Sequence, residues 1–162
     1  MKIAVSACLL GETCRYDGRS KPCARVQELV ALGHELVPIC PEVAGGLPTP
    51  RTPCEIVQAP WMESEKAHTA DERSWTILDA SGADRTAAYA RGAQAELARA
   101  KEAGCKLAIL KAKSPSCGSG EVYDGMFSGA LVPGWGIAAA AFRDAGITVI
   151  DETADFSRLS RM

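Results

Sequence analysis

Charge of one sign is scarce in this 162-residue chain: 18 Lys and Arg stand against 20 Asp and Glu, for a net charge of -2. That balance argues against an electrostatic grip on a nucleic-acid backbone, although it leaves recognition of a single nucleotide open. Long apolar runs are also missing, and none approaches the length of a membrane span. The opening stretch from Ile3 to Leu10 is interrupted by Ser6 and followed by Gly11-Glu12. It reads as a buried first strand rather than a secretory leader, and the cytoplasm is the expected compartment. No two cysteines are spaced as Cys-x-x-Cys, which removes the close ligand pairs of zinc fingers and ribbons. The dipeptide Asp-Pro does not occur either.

What is present is an ordinary globular composition, 47% hydrophobic and 23% charged, with seven cysteines. The length fits one domain, expected over 1–152 with a polar tail at 153–162, large enough to bury a core without disulfide help. An odd, high cysteine count in a cytoplasmic chain disfavours structural disulfides and gives weight to metal or redox chemistry. Cys23 and Cys105 lie within helix and strand patterns and read as small buried hydrophobes.

Three other cysteines follow short apolar runs. Lys2 to Ala7 precedes Cys8, His34 to Ile39 precedes Cys40, and Cys105 to Leu110 runs through Lys111-Ala112-Lys113-Ser114-Pro115-Ser116 to Cys117. In an open parallel sheet the carboxyl ends of the strands share one edge, where ligands bind. Three thiols gathered there suit a soft metal or a cluster with one coordination position free.

The flanking pattern is α/β. Ser20 and Pro22 offer a capped helix start, Val26, Leu29 and Val30 make an apolar face, and Gly33 stops the helix, so residues 2 to 40 form a βαβ unit. Residues 41 to 75 are rich in proline (Pro41, Pro48, Pro50, Pro53, Pro60) and predict a long irregular insertion. Glu55-Ile56-Val57 and Trp75-Thr76-Ile77-Leu78 are expected to pair as a hairpin-like lid. A second half follows: Asp84 as a cap, an Ala-rich helix to about Ala103, Gly104 as its stop, and a strand over 106 to 110. A helix from about Gly136 to Ala145 and a strand from Ile147 to Ile150 complete it, and the tail is expected to fray. The fold class is therefore a Rossmann-like, open, mostly parallel sheet with helices on both faces and a long irregular loop insertion.

Three segments could carry chemistry. Cys8-Leu9-Leu10-Gly11-Glu12-Thr13-Cys14-Arg15 suggests a phosphatase loop with Cys8 as nucleophile and Arg15 on the phosphate, but it is one residue longer than the low-molecular-weight tyrosine phosphatase loop it resembles. The missing Asp-Pro would have been its general acid. In Cys40-Pro41-Glu42 a carboxylate sits beside a strand-end thiol, where partial desolvation would let Glu42 exchange protons near neutrality. In Ser114-Pro115-Ser116-Cys117-Gly118 a restrained loop presents two hydroxyls. Cys14 and Cys54 remain alternative ligands, and a cysteine-rich metal-storing or redox-sensing module remains a non-enzymatic alternative.

Ser6-Ala7-Cys8-Leu9-Leu10-Gly11, Arg15-Tyr16-Asp17-Gly18, Cys40-Pro41-Glu42, Gly45-Gly46-Leu47 with Pro50-Arg51, and Ser114-Pro115-Ser116-Cys117-Gly118 together resemble the thiouracil desulfurase-like family, formerly a domain of unknown function. The likeness runs from about residue 3 to 150. It implies a [4Fe-4S] cluster held by Cys8, Cys40 and Cys117 with one iron open to the sulfur of a thiolated uracil. The implied reaction is a non-redox desulfuration of thiouracil, or of a thiouridine nucleoside or nucleotide, giving the uracil product and sulfide. Glu42 would handle protons and water, and Ser114 would assist, with Ser116 as its alternate. Arg15, Arg51 and Lys111 would hold a phosphate if the substrate is a nucleotide. The implied partners are small molecules, with no stable nucleic-acid complex and no membrane. Some members of the family carry an added carboxyl-terminal domain, for which this chain has no room.

Overall fold

A computed structural model describes residues 1–58 and 75–159. At its centre lies a four-stranded, all-parallel sheet of β1 (Lys2–Ser6), β2 (Glu35–Ile39), β5 (Leu107–Leu110) and β8 (Thr148–Asp151), in the order β2-β1-β5-β8. Strands β1 and β5 carry almost uninterrupted apolar residues: Ile3, Ala4, Val5, Ala108, Ile109 and Leu110 are each wholly buried. That is the signature of a parallel strand covered on both faces. The chain passes from β1 to β2 on one side and returns to place β5 on the other, so the β1/β5 boundary is the switch point at which a crevice opens beyond the strand ends.

Helices cover both faces. Leu97 and Ala100 of α3 (Thr86–Ala103) and Ala139 and Phe142 of α4 (Ile137–Asp144) pack over Ala4, Ala108 and Leu110. The other face is closed by Val26 of α1 (Ala24–Gln27), Leu29 and Phe156 against Ile3, Val5 and Ile109. The tail is docked rather than frayed as far as Leu159: Phe156 is buried under the Arg25 guanidinium, and Leu159 O contacts His34 Nε2 at 3.1 Å. The polar appearance of 153–162 hides this because one buried aromatic suffices to anchor it.

The helix expected from Ser20 and Pro22 begins later, at Ala24, and tightens to a 3-10 turn over Glu28–Val30. Residues Lys21 and Cys23 are drawn back onto the post-β1 turn, their N–H groups bonding Cys8 O and Leu9 O at 2.9 Å each, so the segment is not free to coil. Val30 lies outside the apolar face and is exposed, whereas Val26 and Leu29 are buried as expected.

Two antiparallel hairpins sit beyond the sheet edge. In the first, β3 (Cys54–Gln58) pairs with β4 (Trp75–Asp79), Ile56 opposite Ile77, as the sequence suggests. Residues 59–74, including Pro60 of the predicted insertion, lie outside the described residues. The second hairpin, β6 (Ser119–Tyr123) with β7 (Leu131–Trp135), has no counterpart in the sequence reading. Gly120, Pro133 and Gly134 break any strand pattern within it; cross-strand pairing, not local preference, makes these residues extended. Ile56, Ile77, Tyr89 and Val122 form a small separate core that ties both hairpins to α3.

Candidate functional site

The expected strand-end thiols meet. Cys8 lies on a 3-10 turn, Ala7–Leu10, that follows β1; Cys40 sits between β2 and α2 (Pro41–Ala44); Cys117 lies in the loop after β5. All three line one cavity of about 400 Å³, together with Cys14 and Cys54. Every cysteine is unpaired.

Cys14 is nearer the centre of this group than its sequence position suggests. Cys40 Sγ lies 4.0 Å from Cys14 O, and the Cys14 thiol is raised to about 11: neighbouring Cys40 draws it down, but neighbouring Cys8 and burial outweigh that. Cys40 is also raised, by its hydrogen bond with Cys14 and then by burial, while a bond from the Val43 backbone opposes the shift. Cys117, fully enclosed, is pushed up to about 12 by burial, against the hydrogen bonds of Ser6 and Ser116. Burial thus keeps these sulfurs protonated near neutral pH unless a bound cation replaces the proton.

Glu42, on α2, is the polar hub. Its Oε1 accepts from Arg51 Nε at 3.0 Å and from the Tyr89 hydroxyl at 2.8 Å, and its Oε2 accepts from Ser116 Oγ at 2.9 Å. Tyr89, absent from the sequence reading, is 1% exposed on α3, and its hydroxyl is raised strongly by burial and then by the charge of Glu42. Two glycines make this meeting possible. A Cβ at Gly45 would collide with the Ala88 carbonyl, and one at Gly92 with that of Pro41, so α2 and α3 can touch backbone to backbone only because both positions lack one.

The Ser114–Gly118 loop is fixed from behind by α4. Ile137 N donates to Pro115 O and Ala138 N to Ser116 O, both at 2.9 Å, and a Cβ at Gly136 would strike Ser116. Ser114 Oγ accepts from the backbone N–H of Ser116 and of Cys117, at 3.2 Å each, and lies 2.9 Å from Ser116 Oγ. Because Ser116 gives its single hydroxyl proton to Glu42, Ser114 donates to Ser116. The order is therefore Ser114 to Ser116 to Glu42, with Ser116 in direct contact with the carboxylate and Ser114 one link behind.

The three candidate phosphate-binding cations each pair with a carboxylate. Arg15 Nη2 lies 3.6 Å from Asp17, and Lys111 Nζ 2.6 Å from Glu152. Arg51, besides its bond to Glu42, donates to Pro48 O, Thr49 Oγ1 and Cys14 O, which leaves most of its fork occupied. A phosphatase cradle is not formed either. Such a loop aims its N–H groups at the anion, but Gly11 N and Glu12 N are turned onto Cys8 O and Ala7 O.

The family model for 2-thiouracil desulfurase matches residues 3–154. The chain belongs to this family. Among relatives, the Bacillus subtilis (strain 168) protein YbbK is 43% identical over 150 residues, 93% of this chain and 95% of that protein. Among solved structures, the [4Fe-4S]-dependent thiouracil desulfidase TudS is 42% identical, with a TM-score of 0.77 over 94% of this chain and 91% of that one.

The cavity of this 2-thiouracil desulfurase family member fits a sulfur-ligated cluster on its own evidence. The converging donors Cys8, Cys14, Cys40 and Cys117 are all thiols, the ligand type that iron-sulfur clusters select. Among the described residues no group of three Cys, His, Asp or Glu is drawn tightly enough to grip a single ion.

Proposed function

We propose that this protein removes sulfur from a thiolated uracil in a reaction dependent on a [4Fe-4S] cluster, giving the oxygen analogue and sulfide. The observation that carries the reading is the juxtaposition of a thiol-lined pocket with a carboxylate already linked to a hydroxyl pair, within a chain of the desulfurase family. Cys8, Cys40 and Cys117 would hold the cluster, leaving Cys14 beside it. When bound, the cluster would supply Lewis-acid chemistry towards the substrate sulfur.

The chain's own residues do the rest. Replacing C=S by C=O consumes one water and releases hydrogen sulfide, with no net change of oxidation state. Glu42 Oε2 would take a proton from that water and return one to the departing sulfur or the ring nitrogen. Arg51 and Tyr89, both on Oε1, hold the carboxylate in one orientation and leave Oε2 for this work. Ser116 and Ser114 extend Oε2 into a two-hydroxyl path along which a proton can shift. Because Arg15, Arg51 and Lys111 are each neutralised by a carboxylate, the site favours an uncharged ring, a free base or nucleoside, over a nucleotide.

Anaerobic reconstitution with iron and sulfide should give a brown protein that converts thiouracil to uracil and sulfide. Glu42→Gln should keep the cluster's visible absorbance while slowing turnover by roughly 10²- to 10⁴-fold. Turnover of the Glu42→Gln variant at the parental rate removes the carboxylate from the chemistry.

A further inference from the structure

The mouth of the cavity is built unlike its floor. Where thiols and Glu42 form the floor, the rim includes Tyr16 and the second hairpin's Tyr123, Phe127 and Gly129. Phe127 and Tyr16 are 41% and 42% exposed, an unusual expenditure of large aromatic surface in a chain with only 6% aromatic residues. Phe127 also adopts a φ of 53°, a left-handed conformation that a bulky residue takes only when its surroundings impose it.

Those surroundings are specific. Glu55 on β3, 8% exposed, directs Oε1 at two backbone N–H groups of the β6–β7 turn, Gly125 at 3.0 Å and Phe127 at 3.2 Å. A Cβ at Gly125 would run into the Ile56 carbonyl, so the turn lies flat against β3 with no room to slide. Asp124 closes it internally, accepting from Met126 N and Ser128 Oγ at 2.8 Å each. A buried carboxylate committed to main-chain donors holds a surface turn in a strained shape and leaves an aromatic ring at the cavity mouth.

We propose that this turn is the outer half of the substrate site: Phe127, with Tyr16 from the loop after β1, provides aromatic faces on which a planar heteroaromatic ring stacks, and Glu55 is the positioning residue that sets Phe127. The inference rests on the desulfurase reading for its ligand, a thiolated pyrimidine base or nucleoside. Stacking on an aromatic face tolerates changes in ring substituents, so selectivity for the sulfur is left to the cavity floor. The rim selects only for flatness and aromaticity.

The test compares Phe127→Ala, Phe127→Tyr, Tyr16→Ala and Glu55→Ala with the parent holoprotein. Phe127→Ala should raise KM for thiouracil about tenfold and leave kcat within roughly twofold. Tyr16→Ala should raise KM in the same direction. Phe127→Tyr, which keeps the ring, should restore KM, and the cluster's visible absorbance should be the same in all. Glu55→Ala should reproduce the KM effect without touching the ring. An unchanged KM in Phe127→Ala, or a loss confined to kcat, overturns the proposal while leaving the desulfurase reading intact. Equilibrium dialysis with thiouracil separates the two readings. If the parent binds thiouracil but does not convert it, the desulfurase reading fails and a weaker Kd in Phe127→Ala, by about tenfold, still upholds stacking. Equal Kd values, or no binding to the parent, overturn it.

Discussion

The two walls of the cavity are made in different ways. The inner wall grows from the ends of β1, β2 and β5, three adjacent strands whose registry is locked by the parallel sheet, and it carries Cys8, Cys40 and Cys117. The outer wall comes from two hairpins fastened to α3 through Ile56, Ile77, Tyr89 and Val122, and it carries Phe127 and Glu55. The first is positioned by the main core, the second by a small satellite core and one buried carboxylate. The difference teaches that residues at the strand ends inherit their placement from the main core, whereas those on the hairpins depend on a small separate one.

The sharpest way to break the comparison is at the inner wall. Cys8→Ser, Cys40→Ser and Cys117→Ser should each reduce iron content after anaerobic reconstitution to a small fraction of the parent and abolish turnover, while circular dichroism remains that of a folded chain. Cys14→Ser should keep iron and absorbance, because Cys14 shares the cavity with Cys8 and Cys40 but is not in the proposed ligand set. Full iron in Cys117→Ser, with loss in Cys14→Ser, would exchange the two assignments.

Next in size is the helix contact that connects the walls. Gly92→Ala forces a methyl group onto the Pro41 carbonyl. It should destabilise the fold by about 1–3 kcal/mol, the usual range for overpacking, and displace Glu42 from Tyr89. A denaturant midpoint equal to the parent's would show that α2 and α3 are further apart than described.

The smallest effect belongs to the hairpin side. Asp79, at the end of β4, closes the turn into α3 by accepting from Ser81, Ala83 and Arg85. Its carboxyl is held below the usual range, first by the Ser81 hydroxyl and then, against burial, by the backbone N–H groups and Arg85. A lowered native pKa favours the folded state above the unfolded-state value and loses that contribution as pH falls through the native one. Thermal melts should therefore show Asp79→Asn less stable than the parent at neutral pH, with the gap closing in acid. A gap independent of pH would assign Asp79 a purely steric part.

Much of the inner wall was legible beforehand because periodicity and composition report on buried strands. The apolar runs before Cys8 and Cys117 announce buried strands, and the run before Cys40 completes a βαβ unit with the first, although its strand is buried only at Ile39. Glu42 stood out through its place beside Cys40. Tyr89 did not, because nothing in the Ala-rich run of α3 marks one tyrosine as the partner of a carboxylate 47 positions earlier. The only local hints were Gly45 and Gly92, whose meaning depends on each other. The hairpin β6–β7 was hidden for a related reason: its glycines and proline disfavour a strand until a partner strand supplies the hydrogen bonds.

The sequence by itself determined the parallel α/β core and the gathering of thiols at one sheet edge, since apolar patterning marks the strands and helical crossovers between them make the strands parallel, with their carboxyl ends on one edge. Only the tertiary structure decided that Cys14 joins those thiols and that Ser116 rather than Ser114 touches Glu42. It also decided that the three expected phosphate-binding cations are already paired, and that Phe127 stands at the mouth. Each is a contact between side chains or loops distant in the chain, set by how close two backbones can approach, and no local pattern encodes that distance.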